Sequence, residues 1–254
     1  MINVESVLCL DDNYIWMLTS TYEKDKLVVV DPGEAEIVSN YIESNGFHLD
    51  SILITHEHHD HLGGCHLLIE KYPNVRVFSP VKVQEHDVVI VNDGDRISLL
   101  GEEWRVLALP GHTEKHVGYM SGNKLFSGDV IFSSGCGKVS NQNYMEMYQS
   151  LVKIKNMPDD TLIYCGHDYA KDNVRFARFV DPNNPVIEWY EKIMSTDSTF
   201  NPTVPLLLSF ERKINPFLRL SEQGILEFLN VDNGENNDAV SVFKTLRTLK
   251  DDFL

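Results

Sequence analysis

Short apolar runs that stop at polar, Gly or Pro residues dominate the first two thirds of the chain. Leu27-Val28-Val29-Val30 stops at Asp31-Pro32-Gly33, Ser51-Ile52-Leu53-Ile54 runs into Thr55-His56, and Val75-Arg76-Val77-Phe78 stops at Ser79-Pro80. Runs of about four to eight residues rich in branched and aromatic side chains, bounded in this way, predict strands. Two pairs read as hairpins: Ile97-Ser98-Leu99 with the strand that starts near Trp104, and Val117-Gly118-Tyr119-Met120 with the strand that starts at Lys124. Helical spacing predicts helices over 62–71 and 144–157, the second burying Met145, Tyr148, Leu151, Val152 and Ile154. After residue 168 the texture changes. Helical patterns over 173–179, 185–194, 221–229 and 238–249 are separated by Pro/Asn-rich connections such as Asp181-Pro182-Asn183-Asn184-Pro185. The boundary falls near 168–172, so the expectation is an α/β domain over 1–168 followed by a helical domain over 169–254.

The strand over 51–54 carries unusual chemistry at its end: His56, His58, Asp60 and His61 fall within six consecutive positions. In extended chain His56 and His58 point the same way and can reach one metal ion. As the chain turns, Asp60 and His61 can face a second. Four such groups packed together would repel or desolvate one another unless a cation held them. Three later strands also end in a possible ligand, each preceded by glycine: Gly111-His112, Gly128-Asp129 and Gly166-His167. Glycine lets the backbone turn tightly and brings the next side chain close to a shared centre.

Composition narrows the partners. The 254 residues suffice for one large and one smaller domain, and the formal net charge of −16 argues against broad binding to nucleic acid or anionic membranes. Cys9, Cys65, Cys136 and Cys165 form no C-x-x-C pair and read as reduced, buried thiols. The N-terminal residues show no basic stretch followed by an apolar core, and no run approaches a membrane span, so a cytoplasmic protein is expected; a monomer is the separate expectation for its assembly.

The ordered set Thr-His-x-His-x-Asp-His, then a later His, an Asp and a final His, resembles the metallo-β-lactamase superfamily. The resemblance implies an αββα sandwich. It also implies one ion held by His56, His58 and His112, another by Asp60, His61 and His167, and Asp129 bridging both, with Asp60 and Asp129 orienting the attacking water. The all-N/O set suits zinc, with iron or manganese possible. Further segments are similar to glyoxalase II, the hydroxyacylglutathione hydrolases: Leu10-Asp11-Asp12-Asn13-Tyr14, Gly135-Cys136-Gly137-Lys138, Tyr164-Cys165-Gly166-His167-Asp168-Tyr169, Ile214-Asn215-Pro216-Phe217-Leu218-Arg219 and Arg247-Thr248-Leu249-Lys250-Asp251. That resemblance implies hydrolysis of a glutathione thioester, with Lys138, Tyr169, Arg247 and Lys250 binding substrate. A basic pair at i, i+3 shares one helix face and can converge on a carboxylate. The segment Val139-Ser140-Asn141-Gln142-Asn143 departs from the family pattern. His59 and His116 are expected to support ligands or nearby strands, whereas His48, His66 and His86 show no partner pattern and read as ordinary surface or core residues. Three alternatives use similar residues: a one-iron persulfide dioxygenase, a lactam or lactone hydrolase, and a metal-stabilised binding module.

Overall fold

Strand β1 (Ile2–Cys9) folds back on β2 (Asn13–Ser20), with Ile2 opposite Ser20 and Cys9 opposite Asn13. The computed structural model describes residues 1–83, 86–196, 204–230 and 238–253, which fall into two compact units, the first made of Met1–Ala108 and Lys115–Gly128 and the second of Leu109–Glu114 and Asp129–Leu254. These units divide the chain at other places than the expected 168/169 boundary.

In the first unit β2 pairs antiparallel with β3 (Lys26–Val30), and β4 (His48–Leu53), β5 (Arg76–Ser79) and β6 (Val89–Ile90) add in parallel. The parallel crossovers carry α1 (Ala35–Asn45), then the short α2 (His59–Leu62) and α3 (Cys65–Lys71). Alternation along the strands sorts side chains to two faces. Ile15, Met17, Leu27 and Val29 join Val38 and Ile42 of α1 and Leu68 of α3 in one core. Trp16 points the other way and meets Phe126 edge-on at 6.3 Å. Phe126 belongs to an antiparallel meander, β7 (Arg96–Leu99), β8 (Glu102–Ala108), β9 (Val117–Ser121) and β10 (Lys124–Gly128). From β9 the buried Tyr119 hydroxyl donates to the carbonyls of Ile54 and Phe78, at 2.8 and 3.1 Å, tying the meander to the ends of β4 and β5. Both predicted hairpins are therefore present.

The second unit opens with the hairpin β11 (Ile131–Phe132) and β12 (Gly135–Cys136), followed by α4 (Tyr144–Lys155) and β13 (Leu162–Cys165). Helices α5 (Ala170–Val180) and α6 (Pro185–Thr196) follow; β14 (Leu206–Leu207) pairs with β13, and α7 (Leu208–Ile214), α8 (Gln223–Phe228) and α9 (Ala239–Asp251) complete the unit. Val174 and Ala177 of α5 pack on Ile187 and Tyr190 of α6 and on Ile214 of α7. The four expected C-terminal helices are present with ends moved by a few residues; α7 was not foreseen.

Two local expectations are corrected. The helix expected over 62–71 starts at Cys65, after α2 has ended at Leu62, because Gly64 presses its backbone against Pro32 and Ala35, where a Cβ would come within 2.6 Å. Helix α4 buries Met147, Ser150, Leu151 and Ile154, whereas Met145 is exposed. The polar Ser150 tolerates burial because its hydroxyl donates to Pro110 O at 2.7 Å. His66 and His86, ordinary surface residues by sequence, meet each other: their Nδ1 and Nε2 atoms lie 2.6 Å apart, and Glu70 sits 3.4 Å from His66 Nε2.

Candidate active site

In the first unit the ligand cluster hangs on Asp31, which follows β3 at φ +53. Its buried carboxylate accepts from Thr55 N at 2.8 Å, from Thr55 Oγ1 at 2.7 Å and from His61 Nδ1 at 3.0 Å. Since Thr55 Oγ1 donates to Asp31, it accepts from His56 Nδ1, 3.0 Å away. Both His56 and His61 thus carry their proton on Nδ1 and turn Nε2 outward, the orientation that metal-binding imidazoles take from an outer partner. His56 Nε2 lies 3.0 Å from His58 Nδ1, and His61 Nε2 lies 3.4 Å from Asp60 Oδ2. Asp60 is held in turn by Asn13, whose Nδ2 donates to Oδ2 at 2.9 Å. His116 stacks on His56 with ring centroids 4.8 Å apart, in keeping with a supporting role. Gly128, at φ +48, leaves room for this packing, since a Cβ there would come 2.5 Å from Thr55 Oγ1.

The second unit repeats the logic. His112 Nδ1 donates to Lys138 O at 2.9 Å, so Nε2 is the outward nitrogen. Asp129 Oδ2 stands between two imidazoles, 3.4 Å from His112 Nε2 and 3.2 Å from His167 Nε2. Gly111 turns into His112 at φ +131, tight against α4. Of the three glycines that precede a ligand, Gly111 and Gly128 therefore have a left-handed backbone that favours glycine. In each unit an outward imidazole nitrogen faces a carboxylate oxygen: His61 to Asp60 at 3.4 Å in one, His112 to Asp129 at 3.4 Å in the other. Imidazole nitrogens and carboxylate oxygens gathered in this way are a donor set for zinc, iron or manganese.

Beside His167 lies a cavity of about 280 Å3, built entirely by the second unit. Tyr169 stacks on His167 at 4.7 Å and 8°, and Phe132 meets both rings edge-on. Lys138, Arg247 and Lys250 supply positive charge to the lining, and Asp172 and Asp251 oppose it. All four expected substrate-binding residues thus border one cavity, but they differ in state. Arg247 is 4% exposed and its guanidinium is engaged, donating to Cys136 O at 2.7 Å and to Asp251 Oδ1 at 2.9 Å over the face of Phe217. Lys250 is half-buried, its ammonium over Phe176 and Phe253; burial, then the neighbouring Arg247 charge, pull its pKa down. Asn173 adds a buried wall amide whose Nδ2 has no hydrogen-bond partner among the described residues.

Sequence reasoning missed Asp31, Asn13 and Asn173 as functional side chains. The signal for Asp31 was its place at the end of an apolar run, which reads equally as a turn. The cysteines behave as expected: burial pushes the Cys136 thiol up to about 11 and Cys65 to about 12, which leaves them protonated and unreactive.

Residues 12–167 match the metallo-beta-lactamase superfamily, and residues 168–253 match the family described as hydroxyacylglutathione hydrolase C-terminus. The chain belongs to the hydroxyacylglutathione hydrolase family. Hydroxyacylglutathione hydrolase 1 of Vibrio vulnificus strain YJ016 is 44% identical over 246 residues, covering 96% of this chain and 95% of that protein. Hydroxyacylglutathione hydrolase of Vibrio campbellii is 39% identical over 256 residues, with both chains covered completely. The crystal structure of ETHE1 from Myxococcus xanthus shares the fold at a TM-score of 0.66 and 22% identity, covering 98% of this chain and 99% of that one. The expected fold, a metallo-β-lactamase fold with a C-terminal helical region, is confirmed.

Proposed function

We propose that this hydroxyacylglutathione hydrolase cleaves S-(2-hydroxyacyl)glutathione thioesters, S-D-lactoylglutathione among them, to a 2-hydroxy acid and glutathione with two divalent ions. The observation that carries this reading is the presence, in one chain related over its full length to named hydroxyacylglutathione hydrolases, of both the His/Asp ligand motif and a cavity bordered by Lys138, Tyr169, Arg247 and Lys250.

In this reading His56, His58 and His112 hold one ion, Asp60, His61 and His167 the other, and Asp129 both. Zinc is favoured by the geometry-tolerant N/O set. When bound, the ions acidify a water near neutral pH and polarise the thioester carbonyl. Asp60 and Asp129 would orient the attacking water, and Asn13 keeps Asp60 in one rotamer. Asp31 and Lys138 O fix the tautomers of His61 and His112, so that no reorganisation is needed on substrate arrival. The leaving thiolate needs no dedicated acid, because an ordinary cysteine thiol has a pKa near about 8.5. Residues 169–254, with Lys138, bind the glutathione part: Lys250 and Lys138 attract its carboxylates, Asn173 supplies a donor, and Tyr169 covers the thioester next to His167. Among the described residues no helix is long and apolar enough to cross a membrane. In this reading the enzyme works in the cytoplasm, with which its free, buried thiols are compatible, and acts as a monomer.

The test is thiol release from S-D-lactoylglutathione by metal-loaded protein, with metal content measured on the same sample. Release with two metals per chain is expected. No release above background, with oxygen uptake at one iron per chain or with turnover of a lactam or lactone, overturns the proposal in favour of the corresponding alternative.

A further inference from the structure

Between the ligand Asp129 and Lys138, whose carbonyl anchors His112, the chain forms a strap: the hairpin β11–β12 and the two residues after it. Its strands are two residues each, too short to hold a position by their own ladder, and its turn includes Ser134 at φ +55. The tolerance for movement is small, since a Cβ on Gly137 would come 1.9 Å from Asp129 O. Arg247 donates to Cys136 O at 2.7 Å and the Ser133 hydroxyl lies 3.0 Å from the Tyr190 hydroxyl, and the remaining hold on the turn comes from α7 and the residue after it. Glu211 Oε2 accepts from Ser134 N at 2.9 Å. Asn215 Nδ2 lies within hydrogen-bond distance of Phe132 O at 3.2 Å, Gly135 O at 2.9 Å and Glu211 Oε2 at 3.2 Å, while its Oδ1 accepts from Phe217 N, which fixes the direction of the amide. Both side chains are buried, at 1% and 0% exposure. A carboxylate buried among neutral partners is costly to folding, and here it is aimed at the backbone of one turn.

We infer that Glu211 and Asn215 are positioning residues for thioester hydrolysis, clamping the strap so that Gly137 and Lys138 stand as the wall of the substrate cavity. The kinetic consequence rests on the hydrolase reading; the clamp itself does not. Asn215→Ala, Glu211→Ala and Glu211→Gln are compared with wild type as metal-loaded, full-length proteins, by hydrogen exchange of amides 134–138 and by kinetics. In Asn215→Ala and Glu211→Ala these amides exchange about tenfold faster, and KM for S-D-lactoylglutathione rises about tenfold with kcat changed less than about threefold. A short thioester lacking the glutamyl and glycyl parts shows less than about threefold loss. Glu211→Gln, which keeps an oxygen for Ser134 N and the volume of the side chain, restores slow exchange and KM. Unchanged exchange in Asn215→Ala, fast exchange in Glu211→Gln, or equal losses on both thioesters would overturn the inference. Absence of thiol release by wild type would instead refute the hydrolase reading, and the exchange comparison would still decide the clamp.

Discussion

Replacing Glu211 by Gln tests how the buried carboxylate is held, through the pH dependence of folding. Burial is the main influence on Glu211 and raises its pKa from the ordinary 4.5 to about 7; the bonds from Ser134 N, Asn215 and Ser133 pull the other way without cancelling it. A raised folded-state pKa means that the native protein binds more protons than the unfolded chain between these two values. The stabilisation is therefore fully present below about 4.5 and is lost as pH rises through about 7. With about 1.4 kcal/mol per pKa unit, the change between pH 5 and pH 8 is about 2–3 kcal/mol. Glutamine at this position does not titrate. Unfolding free energies of wild type and Glu211→Gln, measured by denaturant at both pH values, should differ from each other by about 2–3 kcal/mol more in favour of the variant at pH 8 than at pH 5. The histidine ligands and surface carboxylates titrate in both proteins and cancel in this double difference. A double difference within about 0.5 kcal/mol of zero would show that Glu211 ionises normally and that burial does not govern it.

Three other substitutions separate metal binding, ligand orientation and recognition. Asp129→Ala removes the carboxylate that stands between His112 and His167, and metal analysis should find no more than one tightly held ion per chain; two ions with near-normal activity would refute the bridging assignment. Asp31→Asn suits the φ of +53 but brings an amide donor against Thr55 Oγ1 or His61 Nδ1, so metal affinity should fall about ten- to a hundredfold in a competition titration, and unchanged affinity would dismiss Asp31 as an orienting group. Lys250→Ala should raise KM about tenfold with little change in Tm, whereas Arg247→Ala should lower stability by about 2–3 kcal/mol, because it leaves Cys136 O and Asp251 without their buried donor; equal Tm values for the two variants would contradict this division.

The candidate ligands were legible in the sequence because their signal is local. His56, His58, Asp60 and His61 lie in one turn, and His112, Asp129 and His167 each end an apolar run after a glycine, so period and punctuation suffice to find them. The residues that orient these ligands were not legible, because their meaning depends on distant partners. Asp31 reaches His61 thirty positions away, and Glu211 reaches Ser134 seventy-seven positions away. Taken alone, each is an acidic residue near a turn or in a short helix. The rotated face of α4 fails for a related reason: a hydrophobicity pattern puts Met145 inside and Ser150 outside, but the hydroxyl finds Pro110 O and the methionine is left exposed.

Substrate recognition by an acidic chain follows from the same geometry. The formal charge of −16 disfavours the approach of an anionic thioester, and within the cavity Asp251 already pairs with Arg247 while Asp172 offsets part of the remaining cationic charge. In the proposed reading, the attraction left for a substrate carboxylate comes chiefly from Lys138 and Lys250. At physiological ionic strength charges farther than about 8 Å are largely screened, so the distant acidic surface and any distant cations matter little once the ligand has arrived. Lys250 is different: it is half withdrawn from water over Phe176 and Phe253, where screening is weaker and a charge-assisted bond stronger. Binding that depends on a few short contacts of this kind, rather than on a broad positive field, is sensitive to displacements of the cavity wall by fractions of an ångström. A strap with two-residue strands could not keep that accuracy alone, which gives a physical reason for two fully buried polar side chains, Glu211 and Asn215, to be directed at its backbone.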